Sequence, residues 1–150
     1  MNKQAAAHTI AVNFPLSASF IADIMMTASE AHYEWFDIHF RKGDAMPPDE
    51  SCSYARPLRL CVEHIDCDDT GNVIKTYTIS HADIAEGIRR VLLNEMYKDG
   101  ARITESHALV NDYARAGIFR AVIEQDAGDI DKDYADIIIQ AATFGHIIYG

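Results

Sequence analysis

The stretch that decides the fold is LRLCVEHIDCDDTGNVIKTYTISHAD, residues 58–83. Apolar side chains occupy every second position from Leu58 to Val62, which is the period of a half-buried strand. The following DDTGN sequence has the composition of a hairpin turn, because Gly71 supplies a positive φ that other residues resist. Residues 73–79 then return as a second strand. The stretch therefore predicts an antiparallel β-hairpin.

Two more strands are predicted before this hairpin. The first is indicated by apolar residues that alternate up to Pro15, namely Ile10, Val12 and Phe14. The second places three apolar side chains on one face, Phe36, Ile38 and Phe40, opposite a mixed face made of Trp35, Asp37, His39 and Arg41. A polar, proline-containing loop at residues 42–54 separates this strand from the hairpin.

The first two helices are predicted from capping residues and apolar stripes. Ser17 or Ser19 can begin the first helix, whose apolar side consists of Ile21, Ile24, Met25 and Ala28. Ser80 and Asp83 have the spacing of a capping box, so the second helix should begin there. Its apolar stripe continues towards Met96, and Gly100 is its predicted stop.

The last two helices are predicted in the C-terminal third. One should begin near Thr104 or Ser106, and its apolar stripe is unusually wide: Leu109, Tyr113, Ala116, Phe119 and Ile123, widened by Val110, Ile118 and Val122. So wide an apolar face implies either deep burial or a partner, and Gly117 within it predicts close packing. Asp131 can cap the final helix, whose face includes Ala135, Ile138, Ala142 and Gly145.

The predicted order of elements is β-α-β-β-β-α-α-α. Short connections between strands favour an antiparallel sheet, and the closing helices must then cover one of its faces. We therefore predict a single α+β domain over residues 1–150, with a small antiparallel sheet and helices packed on one face.

Composition limits the classes of function. The 150 residues contain 13 Lys and Arg against 23 Asp and Glu, a net charge of −10, which argues against direct binding to nucleic acid or to an anionic membrane. Three cysteines are too few for a disulfide framework and indicate reduced thiols. The sequence shows neither a signal peptide nor an apolar run long enough to cross a bilayer. We expect a cytoplasmic protein.

The sequence contains no motif of high chemical specificity. Cys61, His64 and Cys67 have the residue types of a zinc site, but along a strand His64 points away from the two cysteines. The best pair of a histidine with a carboxylate is His39 with Asp37, interpreted as a solvated or partner-facing strand surface. We therefore predict no metal, no cofactor and no catalytic residue, which favours a protein that is not an enzyme but leaves that question open.

The most unusual composition is that of residues 124–136, which hold six carboxylates and one lysine. A helix N-terminus accounts for Asp131 and Asp133, because carboxylates there interact favourably with the helix dipole. The remaining carboxylates add negative potential. A nucleic-acid-like surface would require them to share a face with the acidic turn at 66–69 and with the carboxylates of the 42–54 loop.

The last 18 residues read DYADIIIQAATFGHIIYG and contain the pattern DxADxIxQxAxFGxIxYG. This pattern resembles the ending of a group of small acidic proteins carried by phages, plasmids and integrative elements. Residues 20–24 and the Tyr33-x-Trp35 pair also resemble the early helix and aromatic residues of that group. The resemblance implies a protein that counters host defence, by analogy with anti-CRISPR and antirestriction proteins.

Our first functional hypothesis is an acidic binding protein that blocks a basic site on a host defence nucleoprotein, with nucleic-acid mimicry as one way of doing so. The expected partner contacts are four carboxylates and two aromatic anchors: Asp126, Asp129, Asp133, Asp136, Trp35 and Tyr54. One alternative is a small hydrolase or nucleotide-modifying enzyme that uses a histidine and a carboxylate. The other is an assembly protein whose wide third-helix stripe and apolar tail, Ile147, Ile148 and Tyr149, pack against a second copy in a homodimer.

Overall fold

Three antiparallel strands form the main sheet, in the order β1-β2-β3. They span Phe36–Phe40, Arg59–Ile65 and Val73–Ser80. The computed structural model of the chain describes residues 13–40, 58–65, 72–105 and 109–149. Opposite residues of neighbouring strands, such as Ile38 with Val62 and Leu60 with Ile79, are buried on the same face of the sheet. The predicted antiparallel sheet is confirmed, as is the period-two pattern of β1 and of residues 58–62, whereas β3 is exposed along most of its length.

Three predicted segments, a turn, a loop and the first strand, lie partly or wholly outside the described residues. Most of the turn after β2 and the whole 42–54 loop lie there, as do Ile10 and Val12 of the predicted first strand. Phe14, the last residue of that strand, is in neither strand nor helix. Its ring instead meets Phe119 edge-on, with 6.0 Å between ring centroids. At Phe14 the strand prediction is therefore wrong.

The first two helices begin at the predicted capping residues. Helix α1 (Ala18–Glu30) begins after Ser17, whose hydroxyl accepts the N–H of Phe20. Helix α2 (His81–Leu93) begins with the Ser80–Asp83 capping box, in which both reciprocal hydrogen bonds are present. The predicted apolar sides of both helices face the core. The buried residues are Phe20, Ile21, Ala22, Ile24, Met25 and Ala28 in α1, and Ile84, Gly87, Ile88 and Val91 in α2.

Helix α2 ends earlier than predicted. Asn94 adopts the left-handed conformation and caps the helix, so the stop predicted at Gly100 is wrong. Gly100 instead lies in the turn of a short hairpin between β4 (Tyr97–Lys98) and β5 (Ala101–Arg102). Asparagine tolerates a positive φ better than most residues, which allows it to replace glycine at this position.

Helix α3 (Asp112–Glu124) begins later than predicted. It begins after the cap Asn111 rather than near Thr104 or Ser106, and residue 104 is not helical. Its buried side consists of Ala114, Ile118, Ala121 and Val122. The predicted stripe is divided between the two sides: Ile118 and Val122 are buried, whereas Tyr113, Ala116, Phe119 and Ile123 are exposed. The small alanines allow the helix to approach the core closely on the other side.

Helix α4 (Lys132–Phe144) is the helix against which α1 and α2 pack. It begins at the predicted cap Asp131, whose carboxylate accepts the N–H groups of Asp133 and Tyr134. Helices α1 and α2 both contact α4, and α1, α2 and α4 each contact a strand of the sheet. The structure is therefore an α+β fold with helices against the sheet, as predicted. A short 3₁₀ helix (Ala127–Asp129) connects α3 to α4.

Each α-helix of the described ranges has 13 residues. A helix that crosses a bilayer needs about 20 apolar residues. Among the residues that the structure describes, no helix has the length and apolar composition to cross a membrane.

Candidate functional site

The outward side of α3 is the most conspicuous surface feature of the described chain. We call Tyr113, Ala116, Phe119 and Ile123 the exposed α3 face. Tyr113 is 83% exposed, Phe119 43% and Ile123 50%. These residues are three or four positions apart, so they lie along one side of the helix. Adjacent exposed side chains of this size are typical of a surface that binds another molecule.

An apolar groove of about 840 Å³ continues this face towards α1 and α2. Its walls are formed by apolar residues of three segments, which include Phe14, Leu16, Ala85, Ile88, Leu92, Leu93, Phe119 and Val122. Leu93 and Phe14 are both strongly exposed. The groove therefore enlarges the apolar surface beyond α3 itself.

The arginine that lines the groove, Arg89, forms ion pairs with carboxylates of this protein. Arg89 pairs with Glu86 at 2.8 Å and with Glu95 at 2.7 Å. Hydrogen bonds from Arg89 and Arg90 lower the pKa of Glu86 to about 2. Arg89 is therefore paired with carboxylates within and just beyond α2, and the groove that it lines is mainly apolar.

His81 also lines the groove, but its environment does not resemble a general-base site. Its Nε2 accepts the backbone N–H of Leu58 at 3.3 Å, and burial lowers its pKa. No Asp or Glu is among the described residues that line the groove. The histidine and carboxylate that the hydrolase hypothesis requires are therefore not brought together here.

Most carboxylates of the acidic segment 124–136 have structural contacts. Asp126 accepts the N–H of Gly128 at the start of the 3₁₀ helix, and Asp131 caps α4. Asp129 pairs with Arg120 at 3.0 Å, while Asp133 is exposed in the first turn of α4. The acidic turn and loop lie outside the described ranges, so a shared acidic face stays a prediction.

Asp136 and Trp35 lie together in the interior rather than on an open surface. Trp35 is 6% exposed, whereas a partner anchor would present its ring to solvent. Its ring stacks on that of Tyr149 with 5.0 Å between centroids. Burial raises the pKa of Asp136 to about 6, and hydrogen bonds from Gln140 and Trp35 oppose part of this rise. Tyr54, the other expected anchor, lies outside the described residues.

We expect the elevated pKa of Asp136 to make stability depend on pH. Folding raises this pKa from 3.8 to about 6, so the folded state favours the protonated carboxyl. The resulting stabilisation is fully present below pH 3.8 and is lost as the pH rises through about 6. Because the group is partly solvated, we expect a change of roughly 1–2 kcal/mol.

The measurement compares the wild type with Asp136→Asn by urea denaturation between about pH 4 and pH 8. The free energy of unfolding of the wild type minus that of the variant should decrease as the pH rises through about 6. Asp99→Asn, an exposed change in the turn between β4 and β5, is the control and should show a much flatter difference. A flat difference for Asp136→Asn would contradict the proposed environment of this carboxyl.

On the outer face of the sheet, residues that are distant in the sequence and were not predicted to be neighbours lie side by side. His39 is exposed there beside Cys61 and Glu63 of β2. His64 lies on the opposite face, as the strand period predicts, and its Nε2 is 2.7 Å from the hydroxyl of Tyr149. Sequence spacing could not identify the pairing of His39 with Cys61, because it depends on the register between β1 and β2.

Comparisons with protein-family models, with curated proteins and with solved structures found no match.

Proposed function

We propose that this protein is an acidic binding protein and that the exposed α3 face, with the groove beside it, is the centre of its interface. The observation that carries the proposal is the outward position of Tyr113, Phe119 and Ile123. Aromatic side chains at the centre of an interface commonly supply most of the binding free energy. The groove offers a concave surface into which an apolar side chain of the partner would fit.

Charge supports a basic partner rather than a second copy. The net charge of −10 repels another copy of the same chain and attracts a cationic surface. Glu124 and Asp126 are exposed at the C-terminal end of α3, next to Ile123. Arg120 of the same helix is paired with Asp129. These groups place negative charge at the rim of the apolar surface, where it would accelerate association with a basic partner.

The resemblance of the C-terminal pattern to proteins of mobile elements supports one class of partner. We propose a host defence nucleoprotein, whose nucleic-acid-binding surface is necessarily basic. The protein would compete with nucleic acid for that surface, with apolar contacts from α3 and electrostatic contacts from the surrounding carboxylates. The four carboxylates expected at the interface, Asp126, Asp129, Asp133 and Asp136, would then contribute unequally, because Asp136 is half-buried against Trp35.

The test is capture of a nucleoprotein from lysate of a host cell at low and high salt, followed by quantitative binding with the purified partner. We expect Phe119→Ser combined with Ile123→Ser to weaken binding more than tenfold, since both side chains are exposed apolar groups of the proposed interface. Binding by the wild type should also weaken as salt increases. Competition with the partner's own nucleic acid should reduce capture.

The matched control is Val73→Ser combined with Ile74→Ser, which replaces two exposed apolar residues on β3. It should leave binding unchanged. Equal losses in both double variants, or binding that ignores salt, would contradict the proposed interface. Light scattering that shows a dimer of the wild type and a monomer of the α3 variant would assign this face to a second copy instead.

A further inference from the structure

Three side chains with metal-binding atoms converge on the outer face of the sheet. We call His39, Cys61 and Glu63 the sheet-face cluster. One ligand atom of each, an imidazole nitrogen, the thiol sulfur and a carboxylate oxygen, lies within 4.8 Å of the other two. His39 is exposed, and Cys61 and Glu63 are half-exposed. Cys61 is not in a disulfide bond.

Strand pairing produces this arrangement. His39 of β1 and Cys61 of β2 are directly opposite each other in the antiparallel register. Glu63 lies two residues beyond Cys61, so its side chain emerges on the same face. Side chains of directly opposite residues have Cβ atoms about 5 Å apart, which allows their ends to share one ion. The positions are set by backbone hydrogen bonds rather than by a flexible loop.

We propose that the sheet-face cluster is a binding site for Zn²⁺. Zinc takes a mixture of thiolate, imidazole and carboxylate ligands, whereas Mg²⁺ and Ca²⁺ prefer oxygen ligands alone. Tetrahedral bonds to zinc would place neighbouring ligand atoms roughly 3.3–3.6 Å apart. The ligand atoms therefore need to approach by at most about 1.5 Å, which rotation of partly exposed side chains allows.

The site would leave one coordination position open. Three protein ligands and a fourth exchangeable position are typical of zinc sites that retain a bound water. Asp37 is opposite Glu63 in the register and emerges on the same face, so its carboxylate is positioned to hydrogen-bond this water or to orient a ligand. The site is separate from the exposed α3 face and does not depend on the function proposed for that surface.

The experiment is titration of the reduced, metal-free full chain with Co²⁺, the spectroscopic substitute for zinc. We expect one equivalent to bind, with a near-ultraviolet absorption band from charge transfer between the thiolate and the metal. Addition of Zn²⁺ should remove the band. Cys61→Ser should abolish it, and His39→Ala and Glu63→Gln should each weaken Co²⁺ binding by at least about tenfold.

Two control variants distinguish this cluster from the other thiols and imidazoles. Cys52→Ser combined with Cys67→Ser leaves only the thiol of Cys61 in the chain, and His32→Ala removes an exposed histidine outside the cluster. Both should bind Co²⁺ as the wild type does. The absence of the band in the wild type at excess Co²⁺ would overturn the proposal. So would a band that survives Cys61→Ser but is lost in the Cys52 and Cys67 variant.

Discussion

Replacement of Gln140 by methionine should lower the free energy of unfolding by about 3–4 kcal/mol. Gln140 is fully buried, and its amide forms four hydrogen bonds. Oε1 accepts the N–H groups of Ile148 and Tyr149 at 2.8 and 2.9 Å, while Nε2 donates to the carbonyl of Tyr149 and to Asp136. Methionine fills nearly the same volume but satisfies none of these groups, so the C-terminal segment loses its attachment.

The control for this prediction is Tyr149→Phe. It removes the hydroxyl that contacts His64 but retains the ring that stacks on Trp35. We expect a loss of about 1 kcal/mol, the usual value for one hydrogen bond. Urea denaturation followed by circular dichroism measures both variants. If Gln140→Met were no less stable than Tyr149→Phe, the amide would not be the group that holds the C-terminal segment in place.

The second large effect is expected for Gly87→Ala, which should destabilise the protein by about 2–3 kcal/mol. Gly87 lies where α2 crosses α4. A Cβ at this position would lie 2.8 Å from the carbonyl oxygen of Ile138 and 2.9 Å from the Cβ of Ala142. Neither atom can rotate away, so the two helices must separate. This cost exceeds the gain of about 1 kcal/mol that alanine brings to a helix interior.

Gly117→Ala is the matched control, since it is the same substitution within α3. A Cβ there would meet the far end of the Tyr134 side chain, at 2.5 Å from its hydroxyl oxygen. That ring can move, so we expect the free energy of unfolding to stay within about 1 kcal/mol of the wild type. Thermal or urea denaturation measures the free energy of unfolding of the two variants. Similar losses in both would show that the contact between α2 and α4 is not the cause.

Local signals predicted the elements correctly where the physical cause is itself local. Ser17, Ser80 and Asp131 each cap a helix within three residues, and their side chains accept the expected N–H groups. The period-two pattern of residues 58–62 likewise depends on neighbours along one strand. These predictions agree with the structure because each depends only on residues that are close together in the sequence.

The sequence did not decide the orientation of α3, because its apolar residues surround most of the helix. Ile118 and Val122 face the core, whereas Phe119 and Ile123, their neighbours in sequence, face outward. Hydrophobicity does not distinguish these two sides. The contacts with α2 and the 3₁₀ helix do, because small alanines on one side permit a close approach. The candidate interface was therefore visible in the sequence as an apolar stripe of the right residues but with its orientation unresolved.

In the C-terminal pattern, too, the sequence identified the residues, but only the structure shows which of their side chains interact. Asp136, Gln140 and Tyr149 are part of the pattern that resembles proteins of mobile elements, yet the sequence does not indicate why these residues occur together. The structure shows that Gln140 joins the other two through hydrogen bonds. Asp136, expected to contact a partner, is instead half-buried beside Trp35. Burial of this carboxyl is a consequence of how α4 meets the strand segment that begins near Trp35.

By itself, the sequence determined the α+β class, the strand periods, the helix caps and the negative charge, because each of these depends on composition or on residues a few positions apart. Only the tertiary structure decided which side of α3 remains exposed, how the C-terminal segment is held, and that His39 lies opposite Cys61. The last pairing joins residues 22 positions apart through strand register. Such contacts depend on how whole elements pack, and packing is set by the shapes of many side chains at once.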